Sequence, residues 1–152
     1  MAIYSIQIKN LEKLQNAISS APETVFNELS KAIKTSVNIA RPILRDEAPV
    51  KSGKLSRNIY SRSAGLRGEL GPNLNITPYA WWVHQGTSPY EITPTNKKAL
   101  YWQGAPYPVR RVRHPGIKAN PFVEKAFDRI KEPVQMIFRN TITKIINSIK
   151  TG

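Results

Sequence analysis

The chain has 152 residues, with 23 Lys and Arg against 10 Asp and Glu, a formal charge of +13, and neither cysteine nor more than two histidines. The missing thiols exclude disulfide scaffolds, thiolate zinc sites and cysteine nucleophiles, and two histidines thirty positions apart leave little for a metal site or a catalytic triad. The length suits one domain over 1–152, and a chain of this size buries roughly 68–70% of its unfolded surface.

The sequence opens on Ile3, Tyr4, Ile6 and Ile8, close to a period-two strand, before Asn10 caps a short helix bearing Leu11, Leu14, Ala17 and Ile18. It turns polar by Gln7, unlike a signal peptide, and no stretch approaches the ~18 uninterrupted apolar residues of a membrane span. A soluble intracellular protein is therefore expected. Pro22 and Glu23 mark a second helix start. Val25, Leu29, Ile33, Val37, Ala40 and Leu44 then recur every three or four residues, predicting a helix from Pro22 to Asp46 with Pro42 inside it. Ala48-Pro49 ends it.

From Val50 to Asn120 the pattern reads as strands and ordered loops. Leu55–Ser63 and Leu66–Leu70 form a predicted strand pair joined near Ala64-Gly65, and Gly71-Pro72 breaks the pattern before the loop Asn73–Pro78. Tyr79–Val83 is aromatic and apolar enough for a strand closed by Gly86. A long loop with Pro89, Pro94 and Gly104 brackets the run Ala99–Trp102, and Val109–Arg113 is a further strand before the turn His114-Pro115-Gly116. Asn120-Pro121 then starts a helix whose apolar positions, from Phe122 through Ile130 and Ile137 to Ile149, hold helical spacing to the end, with Pro133 expected to kink it. The fold class is α+β: an antiparallel β-rich centre with a long N-terminal helix and a long C-terminal helix packed on it. No repeat, low-complexity tract or linker interrupts the chain.

Charge is unevenly placed. Residues 1–40 carry four bases and three acids, whereas 41–70 carry seven and three, and 91–120 carry six and one. No acid lies between Glu47 and Glu69, or between Glu91 and Glu124. Such surfaces favour polyanions or acidic protein partners.

Chemical motifs are thin. Ser52-Gly53-Lys54 resembles the end of a phosphate loop, but Ala48 stands where that motif needs glycine and Leu55 where it needs Ser or Thr, so it reads as a turn entering a strand. The ten acids fall mostly on solvated helix faces. Glu124 and Asp128, four apart, have an ordinary helix-start explanation. Catalysis by paired carboxylates, or a metal nuclease using Glu91, therefore lacks support, and no enzyme activity and no cofactor are expected. His84 and His114 read as hydrogen-bonded structural residues. Tyr101-Trp102, Tyr107 and Arg110-Arg111-Val112-Arg113 are the strongest nucleic-acid cue, since aromatics stack on bases and arginines neutralise phosphate. The same residue types dominate protein interfaces. Composition leaves both readings open.

Three segments in order are Ala48-Pro-Val-Lys-Ser-Gly-Lys-Leu-Ser-Arg-Asn-Ile59, Tyr79-Ala-Trp-Trp-Val-His-Gln-Gly-Thr87 and His114-Pro-Gly-Ile-Lys-Ala-Asn-Pro-Phe122. Together they resemble the tailed-phage neck and minor tail-component family typified by a head–tail joining protein of phage Hong Kong ninety-seven. The resemblance covers about residues 48–127. The family's usual threonine before the first glycine is Ser52 here, and His84 and Gln85 stand where it often has glutamate before Gly-Thr. The resemblance implies a non-enzymatic virion protein for head–tail joining or tail completion, assembled in the host cytoplasm and working as a connector. It implies a homo-oligomeric ring of six or twelve copies, seated among portal, adaptor or head-closure proteins and tail-tube or tail-terminator proteins. Double-stranded DNA would pass through the ring, and no membrane is involved. The candidate subunit and partner contacts are Lys51, Lys54, Arg57, His84, Thr87, Arg110, Arg111, Arg113 and His114, most of the basic surface being expected to face protein and not the channel. The alternative is a small basic nucleic-acid-binding protein.

Overall fold

A computed structural model describes residues 23–150, with side chains described as far as Asn147. The strand expected at Ile3–Ile8, the short helix after Asn10 and the start signal at Pro22 lie outside the described residues. The backbone gathers into two compact units, one comprising 23–80 and 121–150, the other Trp81–Asn120.

The first unit is built on two long helices, α1 (Glu23–Glu47) and its C-terminal counterpart Phe122–Lys150. In α1 the residues Val25, Leu29, Ala32, Ile33, Ser36, Ala40 and Leu44 are buried, the stripe that a 3.6-residue period places on one face. Glu23 in its first turn and Arg45 in its last complement the helix dipole. Pro42 lies inside the helix, which runs on to Glu47, and the Ala48 amide donates to the Leu44 carbonyl at 3.1 Å. Along the C-terminal helix Phe122, Ala126 and Ile130 are buried and Pro133 lies within the helical run.

A short helix α2 (Lys54–Arg57) leads into an antiparallel hairpin, β1 (Ile59–Ala64) and β2 (Arg67–Pro72). Its register runs from Ile59 opposite Pro72 to Ala64 opposite Arg67, so Gly65 and Leu66 form a two-residue loop. Helix α1 packs on the hairpin and on the C-terminal helix. The larger core cluster joins Leu44, Leu55, Ile59, Leu70 and Ala80 to Phe122, Ala126 and Ile130, and a second joins Val25, Leu29 and Ile33 to Leu66. Phe122 and Ile59 are essentially inaccessible to water.

Several segments differ from the sequence reading, and β2 itself runs through Gly71-Pro72, where a break was expected, because both pair with β1. Leu55 does not begin a strand, because Leu55 and Ile59 are both buried and four apart. Strand alternation from Leu55 would also have pointed Arg57 inward, whereas one helical turn buries both apolar residues and leaves Arg57 exposed. Tyr79–Val83 is not a strand either: Ala80–Gln85 form helix α3. The Thr77 hydroxyl donates to the Asn73 carbonyl and the Ala80 amide to the Thr77 carbonyl, so the chain enters α3 through a hydrogen-bonded turn. Ala80 is buried while Trp81 and Trp82 remain exposed. Local turn bonding and burial of Ala80 outweigh the strand propensity of the tryptophans.

The second unit is a two-stranded ribbon. Strand β3 (Tyr90–Ile92) pairs antiparallel with β4 (Val112–His114), Tyr90 opposite His114 and Ile92 opposite Val112. The bridge Thr87–Ile117 keeps that register, three residues nearer the base on each strand, and Leu100–Val109 is a separate bridge farther along. The expected strand at Val109–Arg113 is thus divided between the two. The C-terminal helix Phe122–Lys150 follows as α4.

Candidate functional site

The ribbon is closed by the two short segments Gly86-Thr87 and His114-Pro115-Gly116-Ile117. The Thr87 amide donates to the Ile117 carbonyl at 2.9 Å, and the Ile117 amide is shared between the Thr87 carbonyl at 3.2 Å and hydroxyl at 3.0 Å. The Gly116 amide donates to Nδ1 of His114 at 3.0 Å, and the Tyr90 ring stacks on His114 with centroids 4.8 Å apart. Below the bridge the Asn120 amide donates to the Val83 carbonyl. Thr87 and His114, both candidate contacts, therefore hold the ribbon's own geometry. His84 is only 5% exposed.

The surface of this unit is cationic. Arg110, Arg111 and Arg113 are all exposed, as are Lys97, Lys98 and Lys118. The unit's one acid, Glu91, faces Arg113 across the ladder and approaches Arg111 at 3.8 Å. That pair is largely open to solvent, so it contributes little to stability. Tyr101, Trp102 and Tyr107 are half or more exposed, and the two residues of this unit that are buried are His84 and Ala105. A unit with so little core and so much exposed aromatic surface has the composition of an interaction surface.

Lys51, Lys54 and Arg57 belong to the first unit, on the turn into α2, and all three are exposed. Gly53 caps α2 in the left-handed region, with φ at +70°. Arg57 folds back over it, its Nη2 donating to the Ser52 carbonyl at 2.9 Å. Part of its role is to close this turn, while Lys51 and Lys54 keep their charge in water.

Several charged groups escaped the sequence reading. Glu69 accepts from Arg62 Nε at 2.6 Å and lies 2.7 Å from Arg67 Nη2; these guanidinium groups, Arg62 foremost, hold its carboxyl below the usual range. Glu28 pairs with Lys144 at 2.7 Å and Lys31 at 3.1 Å, and is lowered in the same way, chiefly by Lys144. Arg129 meets Glu47 at 2.5 Å. Glu28–Lys144 and Glu47–Arg129 both tie α1 to α4. The spacing within Arg62…Arg67-Gly-Glu69 was visible in the sequence, since a tight hairpin sets Arg62 opposite Glu69. The α1–α4 pairs join residues about a hundred positions apart and left no local signal.

Among the described residues no three His, Asp or Glu side chains converge to hold a metal ion. An open groove lined by Asn27, Ser30, Lys31, Lys34, Ser63 and Gly65 contains neither a carboxylate nor a histidine. No described helix is long and apolar enough to cross a membrane. The site that the residues build is a surface: a hydrogen-bonded ribbon with exposed arginines and aromatics. Comparison of the chain with protein-family models, with curated proteins and with solved structures finds no match.

Proposed function

We propose that this chain is a structural protein of a tailed bacteriophage virion that forms a ring in the neck, for head–tail joining or tail completion. The observation that carries the reading is the meeting of Gly86-Thr87 with His114-Pro115-Gly116 in one hydrogen-bonded ribbon base. Two of the three segments behind the family resemblance thereby act as one device. It closes the base of a ribbon that carries exposed arginines and aromatics. The third segment, at Gly53, is another constrained turn bearing exposed cations.

The mechanism is geometric. Rings use heterologous contacts, in which one patch of each subunit meets a different patch of the next. Stiff turns fix the direction in which each patch faces, and charge selects the neighbour. DNA crosses the opening as cargo, and most of the basic surface meets protein. Native mass spectrometry and negative-stain imaging at rising protein concentration, with and without portal-bearing heads or tail tubes, test this reading. A closed ring of six or twelve copies, alone or on those particles, is the expected result. A chain that stays monomeric alone and adds to neither particle would overturn it.

One observation favours a second reading. Tyr101, Trp102 and Tyr107 are exposed in the unit that carries Arg110, Arg111 and Arg113, a combination suited to stacking and phosphate neutralisation. Nanomolar oligonucleotide binding that weakens steeply with salt would select it instead.

A further inference from the structure

The ribbon unit is poorly covered and unevenly charged. Within Trp81–Asn120 just His84 and Ala105 are buried, while Trp82, Tyr90, Tyr101, Trp102 and Tyr107 are each about half exposed or more. An isolated two-stranded ribbon is marginally stable in water, so this surface gains from being covered. Its cover must also answer charge, because six Lys and Arg stand against one acid. Antiparallel partners share a face, so Tyr90, Ile92, Val112 and His114 line one side of the ladder, with Glu91 and Arg113 on the other. Glu91 has Arg113 opposite and Arg111 at 3.8 Å, so the single acid is already engaged. Lys97, Lys98, Arg110 and Lys118 are exposed, and no ion pair among the described residues engages them.

A second copy of the chain does not answer that surplus. Glu28 is held by Lys31 and Lys144, Glu47 by Arg129, and Glu69 by Arg62 and Arg67. Along α4 the acids Glu124, Asp128 and Glu132 are interleaved with Lys125, Arg129 and Lys131, which leaves the stretch neutral. Glu23 and Asp46 stand singly near opposite ends of α1. The described residues thus hold no acidic patch. Duplex DNA would answer the charge but not the aromatics, because its bases are already stacked inside the helix and aromatic side chains stack on the bases of single strands. Arginine among exposed Tyr and Trp is the composition that protein interfaces enrich.

We infer that the ribbon unit docks on an acidic surface of a different protein, one that sets aromatic side chains among its carboxylates. Arg110 and Lys118 meet the carboxylates, while Tyr101, Trp102 and Tyr107 cover the rings between them. The step rests on the neck reading for where that partner is found, on a neighbouring neck component. It assigns the ribbon to that neighbour and leaves the contact between copies of this chain to other surfaces.

All three tryptophans of the chain, Trp81, Trp82 and Trp102, lie in this unit, so intrinsic emission of the full-length protein reports its binding directly. The probes are a random glutamate–tyrosine copolymer, polyglutamate of matched charge, a 20-base-pair DNA duplex and a 20-nucleotide oligo-dT. The copolymer is expected to bind at least tenfold more tightly than each of the others. Arg110→Glu with Lys118→Glu should weaken it at least tenfold, and Tyr101→Ser with Tyr107→Ser should bring it within about threefold of polyglutamate. These four residues are exposed, and circular dichroism melts confirm that both variants fold. Equal affinity for copolymer and polyglutamate would overturn the inference, and tighter binding of either DNA would assign the ribbon to nucleic acid. In assembly the charge variant should form rings as the wild type does and fail to add to portal-bearing heads or tail tubes. Rings lost in that variant would assign the ribbon to the contact between copies and overturn the inference. A wild type that selects the copolymer but forms no ring, alone or on those particles, removes the neck reading and leaves the acidic-partner assignment standing.

Discussion

Gly86 and Gly116 stand on opposite strands at the base of the ribbon, and each leaves room that the other strand's backbone fills. A Cβ on Gly86 would lie 2.6 Å from the Ile117 carbonyl oxygen, and one on Gly116 would collide with the carbonyl of Thr87. Both residues also adopt positive φ, at +76° and +87°. Gly86→Ala and Gly116→Ala should thus cost more than the about 1–2 kcal/mol of a left-handed alanine. Gly104 has φ +93° with nothing near its missing Cβ, so Gly104→Ala meets the conformational cost alone. Hydrogen exchange should show the Thr87 and Ile117 amides losing at least tenfold more protection in the first two variants than in the third.

Phe122 is the largest fully buried side chain, shared among α1, the hairpin and α4 in the main core cluster. Its replacement by alanine should lower unfolding free energy by about 3–5 kcal/mol, through lost transfer energy and an unfilled cavity. Phe127, five residues later and 47% exposed, should cost far less when truncated, apart from any loss of assembly. Urea unfolding of the two variants side by side checks the contrast.

The carboxyls of Glu28 and Glu69 are held below their ordinary value by lysines and arginines respectively. A carboxyl lowered in the folded state stabilises it above the ordinary pKa of about 4.3, and that contribution is lost as pH falls through the lower folded value. The midpoint of urea unfolding should therefore fall as pH drops below about 4.3. Glu28→Gln and Glu69→Gln should flatten that acid limb and leave the remaining pH range nearly unchanged. Their partners are mostly in water, so 0.5 M salt, which cuts the Debye length to about half its physiological value, should mimic the substitutions in part.

Arg57 joins the turn before α2 by donating to the Ser52 carbonyl. Arg57→Ala should cost about 0.5–1.5 kcal/mol, the usual net contribution of one hydrogen bond. Gly53→Ala should cost more, because φ is +70° and a Cβ would come within 2.7 Å of Arg57 Nη1. The double variant removes that clash, so it should be less destabilised than the two single effects added together. Thermal melts of the full cycle measure the coupling.

The long helices, the hairpin turn at Gly65 and the α+β class were legible in the sequence, because each follows from local periodicity or punctuation. Leu29, Ile33, Ala40 and Leu44 repeat with the helix period and are buried on that account. Leu55 and the segment Tyr79–Val83 were misread for one shared reason. A short apolar run fits either period, and the distant residues packed around Ala80 and Ile59 decide between them. Strand β3 gave little warning, since three residues between Pro89 and Pro94 are too few to show alternation.

Among the candidate contacts, the sequence sufficed to nominate Lys51, Lys54, Arg110, Arg111 and Arg113 as exposed cations. Charge density and the scarcity of acids are local properties that burial rarely overrides, because an unpaired buried charge is too costly. The reading of His84 and His114 as structural residues agrees with a buried His84 and with His114 bonded inside the ribbon, whereas the pairing of Thr87 with Ile117 left no local signal.

Sequence alone thus determined the two helical stripes, the acid-free cationic stretches and the glycine and proline turns, since each depends on neighbours within a few residues. Only the tertiary structure decided that Thr87 pairs with Ile117, that Glu28 and Glu47 reach α4, and that the aromatics of 81–120 stay in water. Those outcomes depend on which distant backbones approach closely enough to bond. A net charge of +13 could not show where the cations would stand; the ribbon that closes at Gly86 and Gly116 sets Arg110, Arg111 and Arg113 on a surface with almost no core beneath it.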